Sequence, residues 1–202
     1  MQIVVLANEV LKQELDNHHN IIWVSSFDLF IQHQDADAFI DLQFENNTER
    51  VESLKKLLPK PVIINSVIET LKDTNDSFIR MNAWPTFLKG TIIEASAAED
   101  KKRNAEAIFS LLNKKIEWLP DQSGFITPRV ICSIINEAFF ALGEKVSTKE
   151  EIDTAMKLGT NYPYGPFEWA EKIGTKNIYD LLKKLSKDHP RYTPSDLLKE
   201  SI

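Results

Sequence analysis

Apolar residues fall into two rhythms along the chain. Over residues 1–123, short and nearly continuous apolar runs alternate with stretches whose apolar positions recur every three or four residues. The runs QIVVLA, NIIWVSS, ADAFIDLQ, PVIINSV, SFIRMNA, TIIEAS and IEWLP read as strands covered on both faces. Between them, ERVESLKKLL places Val51, Leu54, Leu57 and Leu58 on one helical face. DKKRNAEAIFSLLNKK does the same with Ala105, Ile108, Phe109, Leu111 and Leu112. NEVLKQEL, after the first run, reads as a helix with Asn8 at its N-cap. This alternation predicts an α/β fold with a mostly parallel, doubly wound sheet over residues 1–123.

After DQSG the strand rhythm stops. FITPRVICSIINEAFFALGEK reads as a long helix with Pro128 in its first turn, where a missing N–H costs nothing. Its apolar positions cover well over half the circumference, so burial on more than one side is expected. STKEEIDTAMKLG carries a capping box, Ser147 with Glu150 or Thr148 with Glu151, and is expected to end at Gly159. GPFEWAEKIG and TKNIYDLLKKLSK follow as helices, the first ending at Gly174 and the second capped by Thr175. SDLLKESI adds a short last one, so residues 124–202 form an all-α domain. The chain shows no internal repeat.

Composition narrows the class. The 202 residues are 43% hydrophobic and 27% charged, as in a soluble globular protein. No signal peptide and no bilayer-spanning run stand out. Cys132 is the single cysteine, which suits a reducing, cytoplasmic setting. Four histidines are scattered, and the His18–His19 pair reads as a surface turn, so no metal is expected. The net charge of −6 lies wholly in residues 1–123, with 13 Lys+Arg against 19 Asp+Glu. That balance disfavours a nucleic-acid partner. The lysine pairs at 55–56, 101–102, 114–115 and 183–184 read as solvated helix faces or ends. Trp84, Trp169, Tyr162 and Tyr164 read as turn and core packing.

The second half also carries a recognisable string: Gly124-Phe125-Ile126 with Arg129, then Asn136-Glu137-Ala138, Ile152-Asp153 with Ala155-Met156, and Tyr162-Pro163 with Gly165-Pro166. In this order and spacing it resembles the C-terminal domain of the 3-hydroxyacyl-CoA dehydrogenases, of the 3-hydroxybutyryl-CoA type. The resemblance implies a Rossmann-like domain before it and a homodimer formed through the helical domain. It also implies hydride transfer between NAD and the 3-hydroxy carbon of an acyl-CoA, with a histidine as base and a glutamate orienting it.

Against that pattern the first half departs. The first turn, Leu6-Ala7-Asn8-Glu9-Val10-Leu11, holds no glycine; the first glycine of the chain is Gly90. Glu9 puts negative charge where a pyrophosphate would sit. WVSS offers Ser25 where an acid would hold the ribose, and Asp28 comes later. Glu94 matches the family's glutamate and is the one vestigial catalytic residue. The histidine position falls on Met81 or Asn82, neither of which is a base. The family's serine falls near Ser66, and its asparagine on Pro128. The helical insertion between the second and third strands has no room. A polar pocket of Asn65, Ser66 and Asn82, with Arg129 and Asn136 from the long helix, is the candidate substrate site.

The expectation is therefore a degenerate member that has lost NAD binding and hydride transfer. No cofactor is expected, and an acyl-CoA or other small ligand is expected between the domains. Two alternatives stand beside it: an active NAD-dependent enzyme with an atypical site, and a dimeric structural or partner-binding module.

Overall fold

The computed structural model describes residues 1–15 and 21–202. His18 and His19 lie outside the described residues. The chain divides into two units, Met1–Phe125 and Ile126–Ile202.

The first unit contains every strand among the described residues. β1 (Ile3–Leu6), β2 (Ile21–Val24), β3 (Ala38–Asp41), β4 (Val62–Asn65), β5 (Ile79–Met81), β6 (Ile92–Ser96) and β7 (Lys115–Trp118) form one sheet in the order β2-β1-β3-β4-β5-β6-β7. All neighbours pair in parallel except β5 and β6. Six strands fall inside one of the seven apolar runs, and β7 begins one residue before its run, at Lys115. The doubly wound α/β fold expected from the sequence is thus observed.

The continuous apolar runs exist because both faces are covered. Ile3 and Val5 pack in a layer with Leu11 of α1 (Glu9–Glu14) and with Ala105, Ile108 and Phe109 of α4 (Glu99–Leu111). Val4 and Leu6 point the other way, against Phe30 of α2 (Phe27–Gln32) and Val51 and Leu54 of α3 (Thr48–Lys55). Successive side chains on a strand face opposite ways, so a run without polar gaps fits a sheet with two dry faces. One lysine pair departs from the solvated reading. Lys114 is buried, and its ammonium donates to the carbonyls of Leu88 (2.6 Å) and Gly90 (2.9 Å).

The second unit is helical: α5 (Thr127–Gly143), α6 (Lys149–Thr160), α7 (Pro166–Ile173), α8 (Thr175–Ser186), a 3₁₀ turn at Pro190–Tyr192 and α9 (Asp196–Glu200). Its core joins Ile135 and Phe139 of α5 to Phe167 and Ile173 of α7 and Leu181 and Leu182 of α8. Phe139 and Phe167 meet edge to face at 5.1 Å. Tyr162 and Tyr164 pack edge-on against buried Trp169 at 5.5 and 6.0 Å. Cys132 is fully buried in α5, and burial pushes its thiol pKa up.

Two helix ends differ from the sequence reading. α6 continues past Gly159 to Thr160 and stops at Asn161, which adopts the left-handed φ of 56°. Asparagine tolerates that conformation, so the nearby glycine was not required. Thr175 is the first residue of α8 rather than its cap; Gly174, at φ 92°, makes the turn from α7. The α6 capping box uses Thr148 and Glu151.

Candidate functional site

The β4, β5 and β6 ends bring four of the candidate residues together. Asn65 closes β4, Ser66 follows it, Asn82 follows β5, and Glu94 sits within β6. Two backbone bonds fix the register, from Asn82 N–H to the Glu94 carbonyl at 2.9 Å and from Ser66 N–H to the Met81 carbonyl at 3.2 Å. That register settles which residue faces the glutamate. Asn82 Nδ2 donates to Glu94 Oε2 at 3.2 Å, whereas Met81 is buried in the core.

The other polar groups act mainly as braces. Asn65 Nδ2 donates to the carbonyls of Leu42 (3.1 Å) and Ala83 (3.3 Å), and its Oδ1 accepts from Ala83 N–H at 3.0 Å. It thereby ties β3 and β4 to the segment after β5. Ser66 Oγ donates to the Glu69 carbonyl at 2.8 Å. Asn82 Oδ1 accepts from Trp84 N–H at 3.3 Å, which leaves one N–H of the Asn82 amide without a partner among the described residues. Asn82 is only 3% exposed.

Arg129 and Asn136 belong to the second unit. Asn136 Nδ2 donates to the Thr193 carbonyl at 2.9 Å, and its Oδ1 accepts from Ser195 N–H at 2.8 Å. It clasps the C-terminal segment onto α5. The Arg129 guanidinium lies 5.7 Å from the Tyr192 ring centroid, toward the same segment.

In a doubly wound sheet, ligands approach where the strand order reverses, here between the C-terminal ends of β1 and β3. The turn after β1 is the place to test for a dinucleotide. Asn8 caps α1 by accepting from Leu11 N–H at 2.9 Å, so a side chain already takes one of the N–H groups that would face a phosphate. Exposed Glu9 adds a carboxylate in the same turn. After β2, Ser26 caps α2 through Leu29 N–H at 3.4 Å. These residues do not fit a nicotinamide dinucleotide in the way a glycine-rich turn does.

Beside that turn stands a pair absent from the sequence reading. Asp41 ends β3 opposite Leu6 of β1 and is fully buried. Arg50 of α3 grips it with two bonds, Nε to Oδ2 at 2.8 Å and Nη2 to Oδ1 at 2.9 Å. Its guanidinium carbon also lies over Phe27, 3.7 Å from the ring centroid. Burial raises the Asp41 pKa even though Arg50 opposes the shift. The signal in sequence was an acid ending an apolar run, with no local pattern to point at its partner.

Among the described residues, no three His, Cys, Asp or Glu side chains are grouped to hold a metal, and no helix is long and apolar enough to cross a membrane.

Comparisons with known proteins complete the picture. Residues 124–202 match the family described as 3-hydroxyacyl-CoA dehydrogenase, C-terminal domain. The chain is 31% identical over 175 residues to the 3-hydroxyadipyl-CoA dehydrogenase of Escherichia coli (strain K12), covering 82% of this chain and 35% of that protein. It is 28% identical over 184 residues to the probable 3-hydroxybutyryl-CoA dehydrogenase of Bacillus subtilis (strain 168), covering 83% and 64%. The crystal structure of (S)-3-hydroxybutyryl-CoA dehydrogenase from Ralstonia eutropha superposes with a TM-score of 0.73 at 27% identity, over 90% of this chain and 69% of that one. The chain thus spans between about a third and two thirds of these curated relatives. These matches also correct the cofactor expectation. The proteins matched are dehydrogenases of a family whose chemistry runs on NAD, so NAD rather than no cofactor is indicated.

Proposed function

We propose a function from the premise that this chain is a 3-hydroxyacyl-CoA dehydrogenase-like protein: it binds a 3-oxoacyl thioester beside Asn82 and Glu94 without the usual proton transfer. The observation that carries this reading is the Asn82–Glu94 bond at 3.2 Å. A carboxylate-oriented imidazole can take a proton from a hydroxyl near neutral pH. An amide held by the same carboxylate cannot. Its spare N–H is a fixed donor at every pH, which suits a carbonyl oxygen better than a hydroxyl. Hydride transfer coupled to loss of the hydroxyl proton is then slow for want of a base. NAD is the cofactor that kinship indicates, and the β1–α1 turn holds it more weakly than a glycine-rich one would.

Calorimetric titration with acetoacetyl-CoA and with NADH tests this. Saturable acetoacetyl-CoA binding, with NADH the weaker ligand, is expected. Failure of acetoacetyl-CoA to bind would sink the reading and favour a structural or partner-binding module.

We also propose that the chain is a homodimer through its helical unit. Ile126, Val130 and Phe140 along α5 are at least 40% exposed, and Leu158 on α6 is 83% exposed. Exposed apolar groups along one helix support an interface between copies.

A further inference from the structure

β6 runs antiparallel to β5 and pairs Ser96 with Arg80, so the chain from Ser96 through Ala98 heads toward the N-terminal end of β5, whereas Asn82 lies beyond its C-terminal end. A cavity of about 500 Å³ opens beside these three residues. That volume suits a small molecule. Leu71, Trp118, Leu119 and Pro120 form its apolar wall. The Trp118 indole N–H donates to Glu106 at 2.8 Å, and the Lys102 ammonium lies 5.6 Å from its ring centroid.

Polar features converge on the same space. Ser96 lines the cavity, is only 3% exposed, and its hydroxyl has no hydrogen-bond partner among the described residues. Its oxygen is not sealed off from the cavity, so it is open to hydrogen-bond with a ligand or solvent there. α4, 13 residues long, starts here, and Ala98 at its N-cap supplies no side-chain bond. Its first N–H groups therefore lack a side-chain acceptor, and the helix dipole favours negative charge there. Lys72 and Lys102 also line the cavity.

Most neighbouring acids are already engaged. Glu99 pairs with Lys102 at 2.5 Å and Asp100 with Lys101 at 3.3 Å. Asp121 accepts from Arg80 Nη1 at 2.8 Å and from Leu71 N–H at 3.0 Å. Asp76 is exposed to solvent.

We propose that this cavity binds a small organic carboxylate with a flat apolar body. The carboxylate meets Ser96 and the first turn of α4, and the body lies against Trp118 and Pro120. The site is separate from Asn82 and Glu94.

The probe is naphthoate, titrated calorimetrically into the full chain with neutral naphthol as its control. Naphthoate is expected to saturate one site at least about fivefold more tightly than naphthol. Ala98→Asp provides an internal carboxylate at the cap. It is expected to raise Tm and to weaken naphthoate binding about tenfold. Ser96→Ala is expected to weaken binding without raising Tm. Equal binding of acid and alcohol, naphthoate binding untouched by both substitutions, or no binding at millimolar naphthoate would overturn the proposal.

Discussion

Asp153 shows what one side chain does in this protein. Its carboxylate accepts from the backbone N–H groups of Phe167 (2.8 Å) and Glu168 (3.2 Å), which start α7, so a residue of α6 caps another helix. Gly165 stands so close that a Cβ there would meet Asp153 Cγ at 2.3 Å, which explains a glycine at this point. Burial raises the Asp153 pKa above its ordinary value of 3.8, against the opposing pull of the two N–H groups. The folded state therefore keeps the proton to a higher pH than the unfolded state does. Between the two pKa values the folded state binds more protons, so stability falls as pH rises through that window. Urea unfolding of wild type and Asp153→Asn should show the wild-type advantage shrinking as pH rises above about 4. An advantage that grows over the same range would contradict the account.

Some of these residue roles could be read from the sequence and others could not. The Asn8 cap and the Thr148–Glu151 box were legible because capping is local and acts over three residues. Whether Met81 or Asn82 faced Glu94 was not, because a one-residue shift reverses the face of a strand. Only the pairing of β5 with β6 decides it. The Asp41–Arg50 pair and the Asn136 clasp were also hidden. Each joins groups on different elements, and nothing in the spacing marks them. Lys114 looked like one of four exposed lysine pairs, and only the carbonyls of Leu88 and Gly90 gather its charge inward.

At the scale of elements, strands were the most legible feature. Seven apolar runs became seven strands because both faces of the sheet are dry. The helices of the second unit raise a different question. α6 has Asp153 as its only buried residue, and an isolated 12-residue helix is marginal in water. Its capping box and the Lys157–Glu168 ion pair at 2.5 Å help to hold it, yet Leu158 remains 83% exposed. A second copy covering α5 and α6 would bury this surface. Sedimentation of the purified chain should give a dimer, and Val130→Lys with Phe140→Lys should shift it to monomer with the helical content unchanged. A wild-type monomer at tens of micromolar protein would contradict the dimer.

For the whole molecule, the fold carries the kinship. The doubly wound sheet and the helical unit follow the dehydrogenase pattern, and residues 124–202 carry the family's C-terminal sequence. Around β4, β5 and β6, Asn65 and Ser66 bond to backbone, and the Asn82 amide donates to the carboxylate of Glu94. On the proposed reading, a scaffold that presents an amide to Glu94 should gain chemistry when a histidine takes that place. The most direct measurement is NADH-dependent reduction of acetoacetyl-CoA by wild type and by Asn82→His under the same conditions. General acid–base catalysis by a placed histidine contributes about a hundredfold or more, so Asn82→His is expected to exceed wild type by at least that factor. Wild-type turnover equal to or above that of Asn82→His would contradict the claim that position 82 is where the proton transfer was lost.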